Sequence, residues 1–343
     1  MNNLLIHLFW GVNLLAGLSL PAQSKSLFPE DQIKPRIRVI IDNDFGGDPD
    51  GLFQLVHQIL SPSAEIKGII GSFIKPGGFG GASETAASAC KSVNEVLKIM
   101  GYSDKFSVYE GANSGFSDLK TPIISDGVKA IVKEAMREDT SLPLYIVCGA
   151  GLTDIASAYL MEPKIAGHLT LIWIGGSEYS DLASPPPGAS SVEYNLGIDL
   201  KAGQIIFNNS DIAIWQVPRN AYRQAILSYS ELLLKVKTQG KIGEYLSQKI
   251  ENVMKMTQKF NYLIGETYIL GDSPLVLLTA LQSSFEADPS SSKYVLKHAP
   301  KINDSGLYEE IPSSRNIRVY TNLDIRLMFE DFFSKLTLFN KHD

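Results

Sequence analysis

The 343-residue sequence has only two cysteines and five histidines, too few for a disulfide framework or for a zinc site built on paired Cys and His ligands. Cys90 and Cys148 have no partner at metal-ligand spacing and read as small core residues. Runs of Lys or Arg are also missing: 31 basic residues are scattered among 37 acidic ones, for a net charge of -6. That excludes the basic stripe a phosphate backbone or an anionic membrane demands, and nucleic acid with it as a partner. After the opening segment no apolar run approaches the roughly 20 residues needed to cross a bilayer. The opening segment itself, apolar from Leu4 to Leu20 and followed by Pro21, Ala22 and Gln23, reads as an export signal over residues 1–24, cut near Ala22, although no Lys or Arg precedes it. No cysteine follows it to carry a lipid anchor. The expectation is a periplasmic or secreted protein with no membrane attachment after signal removal.

What is present is enough apolar material for a large core, 44% hydrophobic against 20% charged residues. From Arg36 onward, strand-like runs (37–42, 65–70, 106–109, 144–148, 169–174, 212–217) alternate with helical patterns. Residues 49–60 place Leu52, Phe53, Leu55, Val56, Ile59 and Leu60 on one face, and residues 85–100 repeat that logic before Gly101. Alternation of this kind predicts an α/β fold, an open, mostly parallel Rossmann-like sheet with helices on both faces, whose ligands bind beyond the carboxyl ends of the strands. After Pro218 the pattern turns helix-rich over 229–257, broken at Gly240, with further helices at 273–281 and 324–338 and a strand at 317–320. No linker divides this stretch, so residues 35–343 read as a single domain. Two loops stand out. Residues 76–83 (PGGFGGAS) lack the Lys-Ser/Thr ending of a phosphate loop and are expected to form a mobile lid; residues 177–191 carry Pro185, Pro186 and Pro187.

The most informative segment places Asp42, Asp44, Asp48 and Asp50 within nine residues, directly after an apolar strand and before an amphipathic helix. Asp48-Pro49 suits a helix start, with Asp capping and Pro in the first turn. That does not account for Asp42 and Asp44, which a buried strand delivers to the sheet edge. Carboxylates gathered there raise one another's pKa unless a cation neutralises them. Oxygen-only donors without His or Cys favour Ca²⁺ or Mg²⁺ over zinc, and the looser shell favours Ca²⁺.

This segment resembles the nucleoside hydrolase signature Asp-x-Asp-Pro-Gly-x-Asp-Asp, with Phe45 in place of Pro and Pro49 inserted between the last two Asp. Residues Gly149 to Asp154 (GAGLTD), Glu193-Tyr194-Asn195 with Asp199, and Gly271-Asp272-Ser273-Pro274-Leu275 are similar to three further motifs of that family, in the same order. From about Arg36 to the C-terminal helix the chain is therefore similar to the inosine/uridine-preferring nucleoside hydrolases, as a divergent member with a Gly-Gly-Asp-Pro-Asp metal motif. The resemblance implies Ca²⁺ held by Asp44, Asp50, Asp272 and the carbonyl of Gly149, with Asp44 also the base that deprotonates the attacking water. It implies Asp48 on the ribose 2′-hydroxyl, Glu193 and Asn195 on the remaining sugar hydroxyls, Glu193 toward the 5′ end. A nucleoside or related glycoside is then the small-molecule partner, and a homo-oligomer is the family's common state.

The departures fall on the leaving-group side. Gly271 stands where many members have a His that assists departure of the base, Lys75 where they have an Asn, and Pro187 near a second Asn. His57, His168 and His298 read as helix-surface, strand-start or loop residues rather than replacements. Activation by aromatic stacking or by a residue such as Glu178 or Tyr179 is one way out. Hydrolysis of another glycoside on the same metal site, or a non-catalytic carbohydrate-binding role, are the alternatives these departures leave open.

Overall fold

The computed structural model describes residues 27–29, 32–75, 77, 85–282, 292–312 and 314–342. The expected export signal (1–24) and all but Gly77 of the expected lid (76–83) lie outside the described residues. The strands, in chain order, are β1 (Ile37–Asn43), β2 (Ala64–Gly71), β3 (Val108–Glu110), β4 (Leu144–Cys148), β5 (Leu169–Ile174), β6 (Ala213–Val217), β7 (Ile226–Ser228), β8 (Thr267–Ile269), β9 (Lys293–His298), β10 (Lys301–Ile302), β11 (Tyr308–Glu309) and β12 (Asn316–Asn322). Eight of them form one sheet in the order β3-β2-β1-β4-β5-β6-β12-β9. Its pairings are parallel except for the edge pair β12/β9. The fold class expected from the alternation is the one observed.

The central strand shows why. All seven residues of β1 are buried, as a parallel strand covered on both faces must be. Alternate side chains serve different layers: Ile41 joins the core that includes Phe45, Leu52 and Tyr320, and Ile40 joins the one that includes Ile146 and Trp173. The covering helices are α1 (Asp50–Ile59), α2 (Ala86–Ile99), α3 (Asp126–Ala135), α4 (Thr153–Met161), α5 (Tyr194–Ile198), α6 (Leu200–Asn209), α7 (Arg219–Tyr222), α8 (Tyr229–Glu231), α9 (Gly240–Gln258), α10 (Pro274–Leu277) and α11 (Ile325–His342). Among the described residues, no helix is long and apolar enough to cross a membrane.

The structure corrects several boundaries. β3 starts at Val108, not 106, and the 273–281 helix shortens to α10. The 229–257 stretch contains a π-helical turn at Leu232–Val236 before Gly240, at φ 62°, starts α9. The antiparallel edge β9 and the small β7/β8 sheet are additions. β9 has only three apolar residues, Tyr294, Val295 and Leu296, none of them buried, so its pairing comes from neighbours rather than from local pattern. His57 is not on a helix surface. It is buried, with Nε2 2.7 Å from Asp331 Oδ2 on α11, and Lys335 Nζ lies 2.6 Å from the same oxygen.

The order 3-2-1-4-5-6 means that successive crossovers run one way from β1 and the other way from β4. A crevice opens where they part, at the carboxyl ends of β1 and β4.

Candidate active site

Asp42 is in register with Cys148 across β1/β4, and the Gly149 N–H donates to the Asp42 carbonyl at 3.0 Å. Asp44 and Gly149 therefore leave the sheet side by side at the switch point. A turn closed by Gly47 N–H on Asp44 O, 2.8 Å, returns the chain to α1, with Pro49 rather than Asp48 at the N-cap and Asp50 first in the helix. Asp272 arrives from the loop between β8 and α10. Asn43 Nδ2 donates to its Oδ2 at 2.9 Å, while Asn43 Oδ1 accepts from the Asp44 amide at 2.8 Å. Glu193 is the N-cap of α5, its Oε2 accepting from the amides of Gly176 and Leu196 at 2.8 and 3.1 Å. Asn195 Nδ2 donates to the carbonyls of Ile174 at 2.8 Å and Gly149 at 3.2 Å.

The seven residues that the resemblance singled out, Asp44, Asp48, Asp50, Gly149, Glu193, Asn195 and Asp272, come from four distant segments and line one cavity of about 210 Å³, together with Ile174, Tyr194, Tyr222 and Gly271. Its wall carries the carboxylates of Asp44, Asp48, Asp50, Asp272 and Glu193 and, among the described residues, no Lys, Arg or His. Burial, then the charges of Asp272 and Asp48, pushes Asp44 well above the ordinary carboxylate range. Burial and then Asp272 do the same to Asp50. Burial lifts Asp48 to about 6 and Asp272 to about 7.

The donor set can be tested against a metal. Buried carboxylates that resist ionising beside one another, with a backbone carbonyl at the rim and no cationic side chain among them, have the composition that a hard divalent cation satisfies. The arrangement is an open lining and not a closed shell: among the described residues no three or more His, Cys, Asp or Glu form a ready metal-ligand group. Gly149 is required at its place, because a Cβ there would come 2.7 Å from Asp272 Cγ and Oδ1.

The other motif aspartates belong to the scaffold. Asp42 is fully buried and accepts the Ser72 hydroxyl. Asp154 accepts from the Ala112 amide at 2.8 Å and the Ser125 hydroxyl at 3.2 Å. Asp199 caps α6 and takes the Thr153 hydroxyl at 2.8 Å.

Glu178 and Tyr179, considered above for leaving-group activation, do not line this cavity. Glu178 is clamped by Arg219 at 2.7 and 2.6 Å, and the Tyr179 hydroxyl donates to Gln216 at 2.7 Å. Both face a separate cavity of about 650 Å³, the larger of the two, whose wall holds none of the seven residues. Lys75 Nζ is taken by the Gly197 carbonyl at 2.6 Å. Conversely, sequence reasoning missed Asn43 and two tyrosines: the Tyr222 hydroxyl donates to Glu193 Oε1 at 2.9 Å, and the Tyr268 hydroxyl to Asp48 Oδ1 at 2.8 Å. Burial, reinforced by the facing carboxylate, keeps both phenols neutral. Asn43 adjoins the Asp cluster and could have been suspected on that ground; nothing in the spacing singles out either tyrosine.

The sequence model for inosine-uridine preferring nucleoside hydrolases matches residues 39–325. Among solved structures, the chain is similar to a purine-preferring ribonucleoside hydrolase from Gardnerella vaginalis (TM-score 0.67, 16% identity, covering 89% of this chain and 100% of that one). It is also similar to a plant nucleoside hydrolase (0.63, 17%, 88% and 99%) and to an inosine-uridine preferring nucleoside hydrolase from Bacillus anthracis (0.61, 15%, 88% and 99%). No curated protein sequence matches. The structural likenesses speak for the fold; the family match, running from within β1 to beyond β12, speaks for membership. The chain belongs to the inosine-uridine preferring nucleoside hydrolase family, hydrolases acting on N-glycosidic bonds.

Proposed function

We propose that the protein hydrolyses the N-glycosidic bond of uncharged ribonucleosides to ribose and free base, with Ca²⁺ as its metal. The observation that supports this reading is the convergence, in one cavity at the sheet's switch point, of five carboxylates and a backbone carbonyl with no cationic side chain among the described residues. Such a wall repels a phosphorylated substrate and suits a sugar that turns cationic as its bond breaks.

Members of the family generally hold a divalent metal. Here the carboxylates of Asp44, Asp50 and Asp272 and the carbonyl of Gly149 would hold it, and the all-oxygen set suits calcium. When bound, such an ion neutralises the cluster and lowers the pKa of a water. Asp44 takes the proton of the attacking water on a carboxylate oxygen. Asp48 accepts the 2′-hydroxyl, and Asn195 and Glu193 orient the remaining hydroxyls, Glu193 at the 5′ end. These acceptors grip harder as the ring flattens toward an oxocarbenium-like state. The Tyr222 hydroxyl is given to Glu193 and is not a proton source for the departing base. The proposal includes export: loss of residues 1–24 would appear in the N-terminal sequence of protein recovered outside the cytoplasm.

Reducing-sugar release from a panel of nucleosides, with calcium added or chelated and Asp44→Asn alongside, tests the reading. Calcium-dependent release, reduced about a thousandfold or more in the variant, is expected. Calcium binding without release from any nucleoside would move the site to another glycoside or to a binding role.

A further inference from the structure

We infer that Tyr268 and Tyr222 are positioning residues, one behind each end of the sugar site, which hold Asp48 and Glu193 so that each offers a fixed acceptor to the sugar. The inference rests on the reading above that these two carboxylates bind sugar hydroxyls.

Tyr268 lies on β8, paired with Leu227 of β7, and does not line the cavity. Its hydroxyl nonetheless donates to Asp48 Oδ1 at 2.8 Å, and the Asp50 amide reaches that same oxygen at 3.4 Å. Both protein donors fall on Oδ1, and among the described residues Oδ2 receives none. A carboxylate pinned through one oxygen presents the other at a set place instead of turning about its last torsion, which is broad and soft in a free aspartate. Glu193 is held through both oxygens, and the second lone pair of Oε1 is what it offers to a sugar hydroxyl. Its Oε2 takes the Gly176 and Leu196 amides, while the Tyr222 hydroxyl reaches Oε1 at 2.9 Å. Gly271 makes room for this: a Cβ there would stand 3.2 Å from Tyr222 Cδ2. Two phenols from the chain after Pro218 thus lock the acceptors supplied by the chain before it. Holding a group within a fraction of an ångström of its productive place is a large part of what an active site contributes.

Tyr268→Phe and Tyr222→Phe keep the rings and remove only the hydroxyls. Each variant is measured with calcium on a nucleoside and on its 2′-deoxy and 5′-deoxy forms, as kcat and KM by sugar release and as affinity by calorimetry. For Tyr268→Phe the expected loss of kcat/KM is about tenfold on the full nucleoside and under about twofold on the 2′-deoxy form, because the partner hydroxyl is then already absent. For Tyr222→Phe the same collapse is expected on the 5′-deoxy form. Losses equal on all three substrates, or no loss, would overturn the inference and leave the functional reading standing. A parent protein that neither binds nor cleaves any nucleoside would remove that reading and this inference together.

Discussion

Asn43, the last residue of β1, donates to Asp272 across 229 positions of sequence, at 2.9 Å and fully buried. One amide thereby ties the strand that delivers Asp44 to the loop that delivers Asp272, and its own oxygen fixes the Asp44 amide. Removing a buried group that orients a metal-binding carboxylate typically costs about 10–100-fold in affinity. Asn43→Ala is expected to weaken calcium binding in calorimetry by that much, and an unchanged constant would show that Asp272 finds its place without help.

The raised carboxyls predict how metal and pH act together on stability. Asp48 and Asp272 move from 3.8 to about 6 and about 7, and Asp44 and Asp50 also rise. Because their folded-state values lie above the unfolded ones, the protonated forms favour the fold. That contribution is whole below about pH 4 and is lost as pH rises through 6 to 7. With chelator present, the melting temperature should fall across this window relative to the calcium-loaded protein. His57, whose burial lowers it to about 4, works in the opposite sense, its contribution being lost as pH falls from 6.5 toward 4. It does so with or without metal, so the difference between the two melting curves isolates the cluster. A difference independent of pH would disprove the link.

How much of this was legible beforehand differs by element for physical reasons. β1 and β4 are apolar runs buried on both faces, and their identity survives without context. β9 is an edge strand with half its side chains in solvent, and it exists because β12 offers a hydrogen-bonding edge. The acidic donors could be read because four aspartates at the end of a buried strand are hard to explain otherwise. Tyr222, Tyr268 and the burial of His57 could not, since each depends on which distant helix or strand packs opposite. Glu178 illustrates the reverse error: a carboxylate near the site in sequence had its charge already taken by Arg219.

Two glycines at the site should respond differently to the same methyl group. At Gly149 the added carbon meets Asp272 at 2.7 Å as well as the Asn43 amide; at Gly271 its nearest neighbours are Tyr222 and Asp50 at 3.2 and 3.3 Å. Overpacking a buried site costs about 1–3 kcal/mol, so Gly149→Ala should reduce calcium affinity by about tenfold or more. Gly271→Ala asks only for a few tenths of an ångström from a tyrosine ring and should leave calcium affinity within about threefold. Equal effects would mean that Asp272 is not confined as described.

Glu178 and Arg219 decide between a structural and a chemical role for the 177–191 loop. Their side chains are 3% and 10% exposed and joined at 2.6 Å, and Arg219 also donates to the Ser190 carbonyl at 2.9 Å. Both groups line the cavity of about 650 Å³, where water reaches a charge left alone, so removing one member costs about 1.5–3 kcal/mol. Arg219→Met should lower unfolding free energy in denaturant by that order, and adding Glu178→Gln to it should recover a good part of the loss, because the stranded carboxylate is then gone. If Glu178 gave a proton to the leaving base, the single Glu178→Gln change would cut kcat far more than stability and would flatten the alkaline limb of the rate profile. The expectation is the reverse: a stability loss with kcat on folded protein held within a few-fold. The ion pair holds the loop against α7, the short helix that also carries Tyr222.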